Sequence, residues 1–216
     1  MKILSTNRAT PVAIAWKGSE QTTGIYKRPQ AGGIFLNLEG VQGDTVGNPE
    51  VHGGRYKACY LFAADAYPYW QQRYPGLAWE YGMFGENLSV AGLDEARLTI
   101  GSVFRVGDAR IRITTPREPC FKLGIRFKDQ GIIEEFIAHG RPGAYAEVLG
   151  AGWVRPGDTL EPEAPVAKAM SVADYFGLLY AEQKDTRLLA EALRWPYLSD
   201  KTRAMLNRWL RSENPS

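Results

Sequence analysis

The sequence predicts a mixed α+β fold, mainly β with a helical tail, on three observations. Of the 23 glycines, all but Gly177 lie at or before Gly157. Short apolar runs fill that stretch and alternate with Gly-Asp pairs, at Gly43-Asp44, Gly107-Asp108 and Gly157-Asp158. Glycine accepts positive φ and aspartate bonds its own backbone, so such pairs suit tight turns. Beyond a proline hinge, Glu161-Pro162-Glu163-Ala164-Pro165, glycine all but disappears and the chain reads as helix. Many short strands without a strand–helix rhythm favour a β-barrel or sandwich over a doubly wound sheet. The expected division is a β-barrel domain over 1–163 and a small three-helix domain over 164–216.

Val12-Ala13-Ile14-Ala15-Trp16 reads as a strand, as do Lys57 to Phe62 and the alternating Arg110-Ile111-Arg112-Ile113-Thr114. Ala63 to Tyr74 reads as a helix with Pro68 near its start. Asp129 to His139 reads as another, with Ile132, Ile133, Phe136 and Ile137 on one face and Gly140 to close it. In the tail, about Ala169 to Arg211, Ser171 and Asp174 resemble a capping box, Trp195-Pro196 ends a second helix and Ser199 caps a third. Helices this short must pack on one another or on the sheet.

A chain of 216 residues, 44% hydrophobic and 23% charged, can bury a core without disulfides or a structural metal. Twenty-six basic against 24 acidic side chains leave a net charge of +2, so no global field marks a nucleic-acid or membrane binder. Two cysteines, Cys59 and Cys120, exclude a Cys-only zinc site and a four-thiolate cluster within one chain. Two histidines, His52 and His139, argue against a multi-histidine metal site. The start of the chain lacks the apolar core of a secretory signal, and no apolar run is long enough to span a bilayer. A cytosolic protein with reduced thiols is expected.

Chemistry concentrates in four segments. In Thr114-Thr115-Pro116-Arg117-Glu118-Pro119-Cys120-Phe121-Lys122-Leu123, two prolines stiffen a loop after a strand. Arg117 and Lys122 would favour the Cys120 thiolate, a soft ligand for molybdenum, copper(I) or zinc. Cys120 is equally readable as a small buried hydrophobe, and Cys59 as core. In His52-Gly53-Gly54-Arg55-Tyr56-Lys57 the glycines let backbone amides approach an anion, with His52, Arg55 and Lys57 as phosphate partners; a plain turn is the alternative. Tyr81 to Leu88 reads as a tight loop whose Glu86 and Asn87 bind backbone or ligand. Thr23 to Pro29 adds two cations, Lys27 and Arg28, on a loop that could be a solvated turn.

Together these segments resemble the MOSC family, related to the C-terminal part of molybdenum-cofactor sulfurases. The resemblance rests on Gly43-Asp44, His52-Gly53-Gly54 with Lys57-Ala58, Phe84-Gly85-Glu86-Asn87-Leu88, Ile100-Gly101 through Val106-Gly107, and Pro116-Arg117 with Pro119-Cys120. Their order is the family's, and Thr23 to Lys27 and the tail look like its YiiM-type branch. The resemblance implies a MOSC-type barrel and a cytoplasmic molybdenum enzyme reducing N-hydroxylated compounds such as N-hydroxylaminopurine, with Cys120 on the metal. It implies that molybdopterin is held by Lys27, Arg28, His52, Gly53, Gly54, Arg55, Lys57, Glu86, Asn87, Arg117 and Lys122. His52 and Asp44 are candidate proton donors. With no iron–sulfur domain in the sequence, electrons would come from a separate flavoprotein reductase; a homodimer is open. The competing readings are a molybdenum-cofactor carrier or a persulfide-carrying protein without turnover; an RNA-binding module is disfavoured by the charge balance.

Overall fold

A computed structural model describes residues 1–45, 47, 53–164 and 169–213. Thirteen strands precede the helical tail: β1 Lys2–Arg8, β2 Val12–Trp16, β3 Ser19–Thr23, β4 Arg28–Pro29, β5 Ile34–Asn37, β6 Gly40–Val41, β7 Cys59–Ala63, β8 Leu88–Ala91, β9 Val103–Val106, β10 Ala109–Pro116, β11 Ala144–Gly150, β12 Gly152–Val154 and β13 Leu160–Ala164. Among the described residues the helices are α1 Tyr67–Arg73, α2 Phe121–Phe127, α3 Ile132–His139, α4 Val172–Tyr180, α5 Thr186–Ala192 and α6 Asp200–Glu213. Among the described residues, no helix is long and apolar enough to cross a membrane.

Eight strands form one sheet in the order β13-β9-β10-β11-β7-β8-β1-β4. Within it β7 and β8 run parallel, with Leu61 opposite Leu88. The sheet curls back on itself, though among the described residues no strand-to-strand ladder closes it into the expected barrel. Its first strand reaches back to the segment before β13, through Ile3 N to Asp158 O (2.8 Å), Gly157 N to Ile3 O (2.8 Å) and Leu160 N to Met1 O (2.9 Å). Strands β12-β5-β6 and the hairpin β2-β3 form two smaller sheets.

Local chemistry explains most departures from the sequence reading. The expected proline hinge is partly strand: Pro162 lies in β13, at the sheet's edge, where the missing N–H breaks no ladder. Pro165 lies outside the described residues. Arg55–Lys57 is a turn of 3-10 helix, so β7 starts at Cys59 rather than Lys57. Ala64–Ala66 is also 3-10, and α1 follows with Pro68 in its first turn, where a lost N–H costs nothing. α3 starts at Ile132 because the Asp129 carboxylate takes the Gly131 amide (2.8 Å) in a turn; Gly140 closes the helix in the left-handed region.

Ser171 caps α4 as expected, its Oγ accepting from Asp174 N (3.0 Å). Asp185 caps α5, accepting from Arg187 N at 2.8 Å, and Ser199 Oγ accepts from Thr202 N (3.1 Å). The last carbonyls of α4 are taken by Lys184, whose Nζ donates to Leu178 O (3.1 Å), Leu179 O (2.9 Å) and Ala181 O (2.6 Å) and lies 4.4 Å from the centre of the Trp209 ring. One side chain thus satisfies orphan acceptors and ties α4 to α6. The tail shares its core with the sheet: Val172, Tyr175, Leu189 and Leu206 belong to the same buried cluster as Ile111 and Val148.

The densest packing is aromatic. Phe62 stacks on Phe84 (centroids 4.1 Å apart), Phe84 meets Phe127 (5.2 Å), and Trp70 stacks on Phe136 (6.0 Å). All five rings are at most 2% exposed. Phe84→Ala should cost about 3–5 kcal/mol, read as a lower midpoint in chemical denaturation. At the end of α3, His139 stacks on Tyr69 (4.1 Å) and meets Trp70 edge-on (5.2 Å), and its Nε2 has no partner among the described residues. Burial first, then the Arg141 and Arg73 cations, hold its pKa below the ordinary 6.5. The folded state therefore binds fewer protons than the unfolded one as pH falls below 6.5, and stability drops there. His139→Phe should flatten the pH dependence of the unfolding free energy between neutral and mildly acidic pH.

Candidate functional site

Among the described residues, six stretches of chain converge on a cavity of about 400 Å3: the turn Thr23–Lys27, the β5–β6 turn with Asp44, the segment from Gly53 to Tyr60, the Phe84–Asn87 loop, the Arg117–Lys122 loop and Tyr145 of β11. Backbone economy brings them together. Gly24 packs so tightly on the Thr45 carbonyl that any Cβ would overlap it. Gly54 has φ 88°, a conformation that favours glycine, and opens the turn of 3-10 helix before β7.

Cys120 lines the cavity at the residue preceding α2, half-buried and outside any disulfide. The sequence reading treated Phe121 to Leu123 as loop; the structure makes them the first turn of α2. Cys59 is buried in β7 and is not part of the cavity lining, and burial pushes its thiol far above the ordinary range.

The basic groups are distinct in kind. Arg117 is 6% exposed, with its guanidinium over Phe136 (5.3 Å) and Tyr60 (5.7 Å) and its Nη1 without a partner among the described residues. An orphaned donor on a buried cation is costly, and a ligand acceptor would relieve it. Lys122, also 6% exposed, donates from Nζ to Thr22 O at 3.4 Å, which holds the β2–β3 hairpin against α2. The hairpin's Trp16 stacks on Phe121 beside it (4.7 Å). Lys57 lies 5.6 Å from the centre of the Tyr145 ring; burial lowers its pKa, opposed by Glu118 and Cys120. Lys27 is buried against Asp44 in an ion pair.

Asp44 is an anchor. Its Oδ1 accepts from Ala9 N (2.7 Å) and its Oδ2 from Lys27 and from Asn87 Nδ2 (2.8 Å). Asn87 also takes Tyr60 N on its Oδ1 (3.1 Å), so it braces the loop to β7.

Of the residues expected at the site, the structure gathers Lys27, Asp44, Gly53, Gly54, Lys57, Asn87, Arg117, Cys120 and Lys122 around the cavity. It does not bring Arg28, Arg55 or Glu86 there. Arg28 is exposed and pairs with Glu80 (2.9 Å). Arg55 turns to Glu147, a fully buried carboxylate that also holds Arg112 (3.1 Å). Glu86 is spent on the core, accepting from Gly82 N (2.8 Å) and Phe84 N (3.1 Å) of its own loop, from Tyr67 Oη of α1 (2.6 Å) and from Ser89 Oγ of β8 (2.7 Å). His52 lies outside the described residues. Sequence reasoning gave no role to Tyr60, Tyr145, Glu39 or Glu118, which also line the cavity; only Glu118, between the site cation Arg117 and Pro119, carried a signal.

Half-buried Cys120 and buried Cys59 differ in reach by any reagent. Iodoacetamide under native conditions should label Cys120 at least about tenfold faster than Cys59, as read by peptide mass spectrometry, with the difference lost in denaturant.

The model of the MOSC domain family matches residues 48–161. Over 202 residues the chain is 34% identical to the uncharacterized protein YflK of Bacillus subtilis, covering 94% of this chain and 91% of that one. It is 33% identical over 183 residues to a protein of Gibberella moniliformis named reductase, covering 83% of this chain but 32% of that longer protein. The crystal structure of YiiM from Geobacillus stearothermophilus superposes with a TM-score of 0.80 at 26% identity, over 97% of this chain and 98% of that one. The family model spans the Gly53–Lys57 segment, the Phe84–Asn87 loop and the Arg117–Lys122 loop, and the solved relative shares the whole fold. This chain therefore belongs to the MOSC domain family, and within it to the YiiM type.

Proposed function

We propose that this chain is a cytoplasmic reductase of N-hydroxylated compounds, of the N-hydroxylaminopurine kind, that works with bound molybdenum cofactor and takes electrons from a separate flavoprotein reductase. MOSC domains are generally associated with binding that cofactor, and one relative is named a reductase. The observation that carries the reading is the pairing, in one cavity, of the Cys120 thiol with a buried guanidinium whose Nη1 lacks a partner among the described residues.

The residues present fit molybdopterin. Among the described residues no cluster of three or more His, Cys, Asp or Glu could hold a bare metal ion. Molybdopterin brings its own dithiolene to the metal and a phosphate to the protein, so it asks for one soft ligand and an anion site. Cys120 would supply the thiolate, and Arg117, Lys122 and Lys57, with the amides of Gly53 and Gly54, the anion site. When bound, the cofactor supplies the two-electron chemistry that turns an N–OH group into N–H and water. The chain's own part is orientation and charge. Lys27 is fixed by Asp44, and Arg117 is fixed between Phe136 and Tyr60, so these cations pay little to be ordered at binding. Asp44, engaged by three donors, serves this fixing rather than proton delivery; His52 keeps its candidacy as proton donor.

Protein made in a host that synthesises the cofactor should carry molybdenum and pterin near one per chain. Cys120→Ser should keep a cooperative unfolding transition and lose at least about a hundredfold in kcat/KM for a hydroxylamine substrate with a flavoprotein reductase. Cys59→Ser should keep substantial activity, and X-ray absorption should count one sulfur fewer on the metal in Cys120→Ser. Full turnover by folded Cys120→Ser would overturn the ligand assignment, and absence of pterin from the native protein would overturn the cofactor.

A further inference from the structure

Charge in the cavity is layered. Its cations lie deep: Lys27, Arg117 and Lys122 are buried and Lys57 is half-buried. Asp44 neutralises Lys27 at the same depth. Among the described residues, the two other carboxylates that line the cavity, Glu39 and Glu118, are both exposed and so stand at its mouth. Neither forms an ion pair with a described residue.

Both carboxylates stand on stiff backbone. Asn37 Oδ1 accepts from Glu39 N (3.0 Å) and Gly40 N (2.9 Å), which fixes the β5–β6 turn. Glu118 lies between Pro116, the last residue of β10, and Pro119. They come from different elements, so the mouth is acidic on more than one part of its edge.

The arrangement sorts two ligands by charge. An anionic group belongs with the deep cations, where the Arg117 Nη1 awaits an acceptor. Whatever binds after that group is seated meets Glu39 and Glu118 instead. We propose that Glu39 and Glu118 form a charge filter, so that the substrate is a neutral or cationic nitrogen compound that presents N–H donors to the mouth, and the same compound bearing a phosphate is turned away. This rests on the reductase reading for the identity of the group seated below. Carboxylates accept N–H bonds strongly, and they repel a dianion through several charge pairs at once.

The test uses the cofactor-loaded protein with the ribonucleoside of N-hydroxylaminopurine and its 5′-monophosphate, which differ by the phosphate alone. The nucleoside should have a kcat/KM at least about tenfold above that of the monophosphate, carried by KM. In the Glu39→Gln/Glu118→Gln double variant the monophosphate should improve and the nucleoside weaken, closing the gap to about threefold or less. Raised salt should shrink the wild-type gap and leave the variant's unmoved. Equal use of the two compounds by the wild type would overturn the filter, as would a gap that survives in the double variant and so arises from shape. Should neither compound turn over, the reductase reading falls. The filter is then decided by calorimetric dissociation constants for the same pair, measured in phosphate buffer so that the deep cations are occupied: equal affinities reject it, and a gap that the double variant closes sustains it.

Discussion

Asp44 draws three donors from three separate parts of the chain: the Ala9 amide, the Lys27 ammonium and the Asn87 side-chain amide. A carboxylate this buried costs several kcal/mol in lost hydration, and only a complete set of partners repays it. Asn87 extends the connection, bonding Tyr60 through main chain (2.8 Å) and side chain (3.1 Å) and Asn7 O at 3.2 Å. The end of β1, the start of β7 and the approach to β8 therefore meet at one ionised group. That junction is where the sheet turns parallel, and it is also a wall of the cavity.

A second polar chain runs through the core beside it. Ser5 Oγ donates to Asn7 Oδ1 (2.7 Å), Asn7 Nδ2 to Ser89 Oγ (3.1 Å), and Ser89 Oγ to Glu86 Oε1 (2.7 Å), where Tyr67 also bonds. Each member is buried with its partners supplied, which fixes the register of β1 on β8 more tightly than apolar packing would. Behind it the aromatic cluster forms a rigid bed, and Arg117 lies on that bed over Phe136. The cavity thus owes its shape to a satisfied polar network on one side and close-packed rings on the other. Its chemistry is left to the few groups those two hold in place.

The sequence disclosed these layers unevenly. Glycine distribution, capping serines and apolar periodicity are local signals, so the β-rich first part and the helices of the tail were legible. So was the grouping of Gly53-Gly54, Asn87, Arg117 and Cys120, because a family keeps such residues in order along the chain. Side-chain direction was not legible. Arg55 looked like a phosphate partner beside two glycines, yet its guanidinium serves Glu147, which is ninety-two positions away. Glu86 looked available and is consumed by its own loop, by Tyr67 of α1 and by Ser89 of β8. α2 was hidden because its first residues follow two prolines, which argue for a loop. A barrel-like curl was expected, but the pairing that produces it was not legible, because no local signal joins Met1 to Ile3 with residues near Leu160.

That last pairing has a consequence for synthesis on the ribosome. β1 leaves the exit tunnel before its partners: its far end finds β4 early, but its first half pairs with Leu88 to Ala91 on one side and Gly157 to Leu160 on the other. Until Leu160 has emerged, the first half of β1 keeps an unpaired edge, with Ile3 lacking its native cover. The nascent chain must hold the Ile3 end of that strand in waiting while the middle of the sheet assembles. Ser5, Thr6 and Asn7 in the same strand are polar, and polar residues beside an apolar edge disfavour its association with other chains.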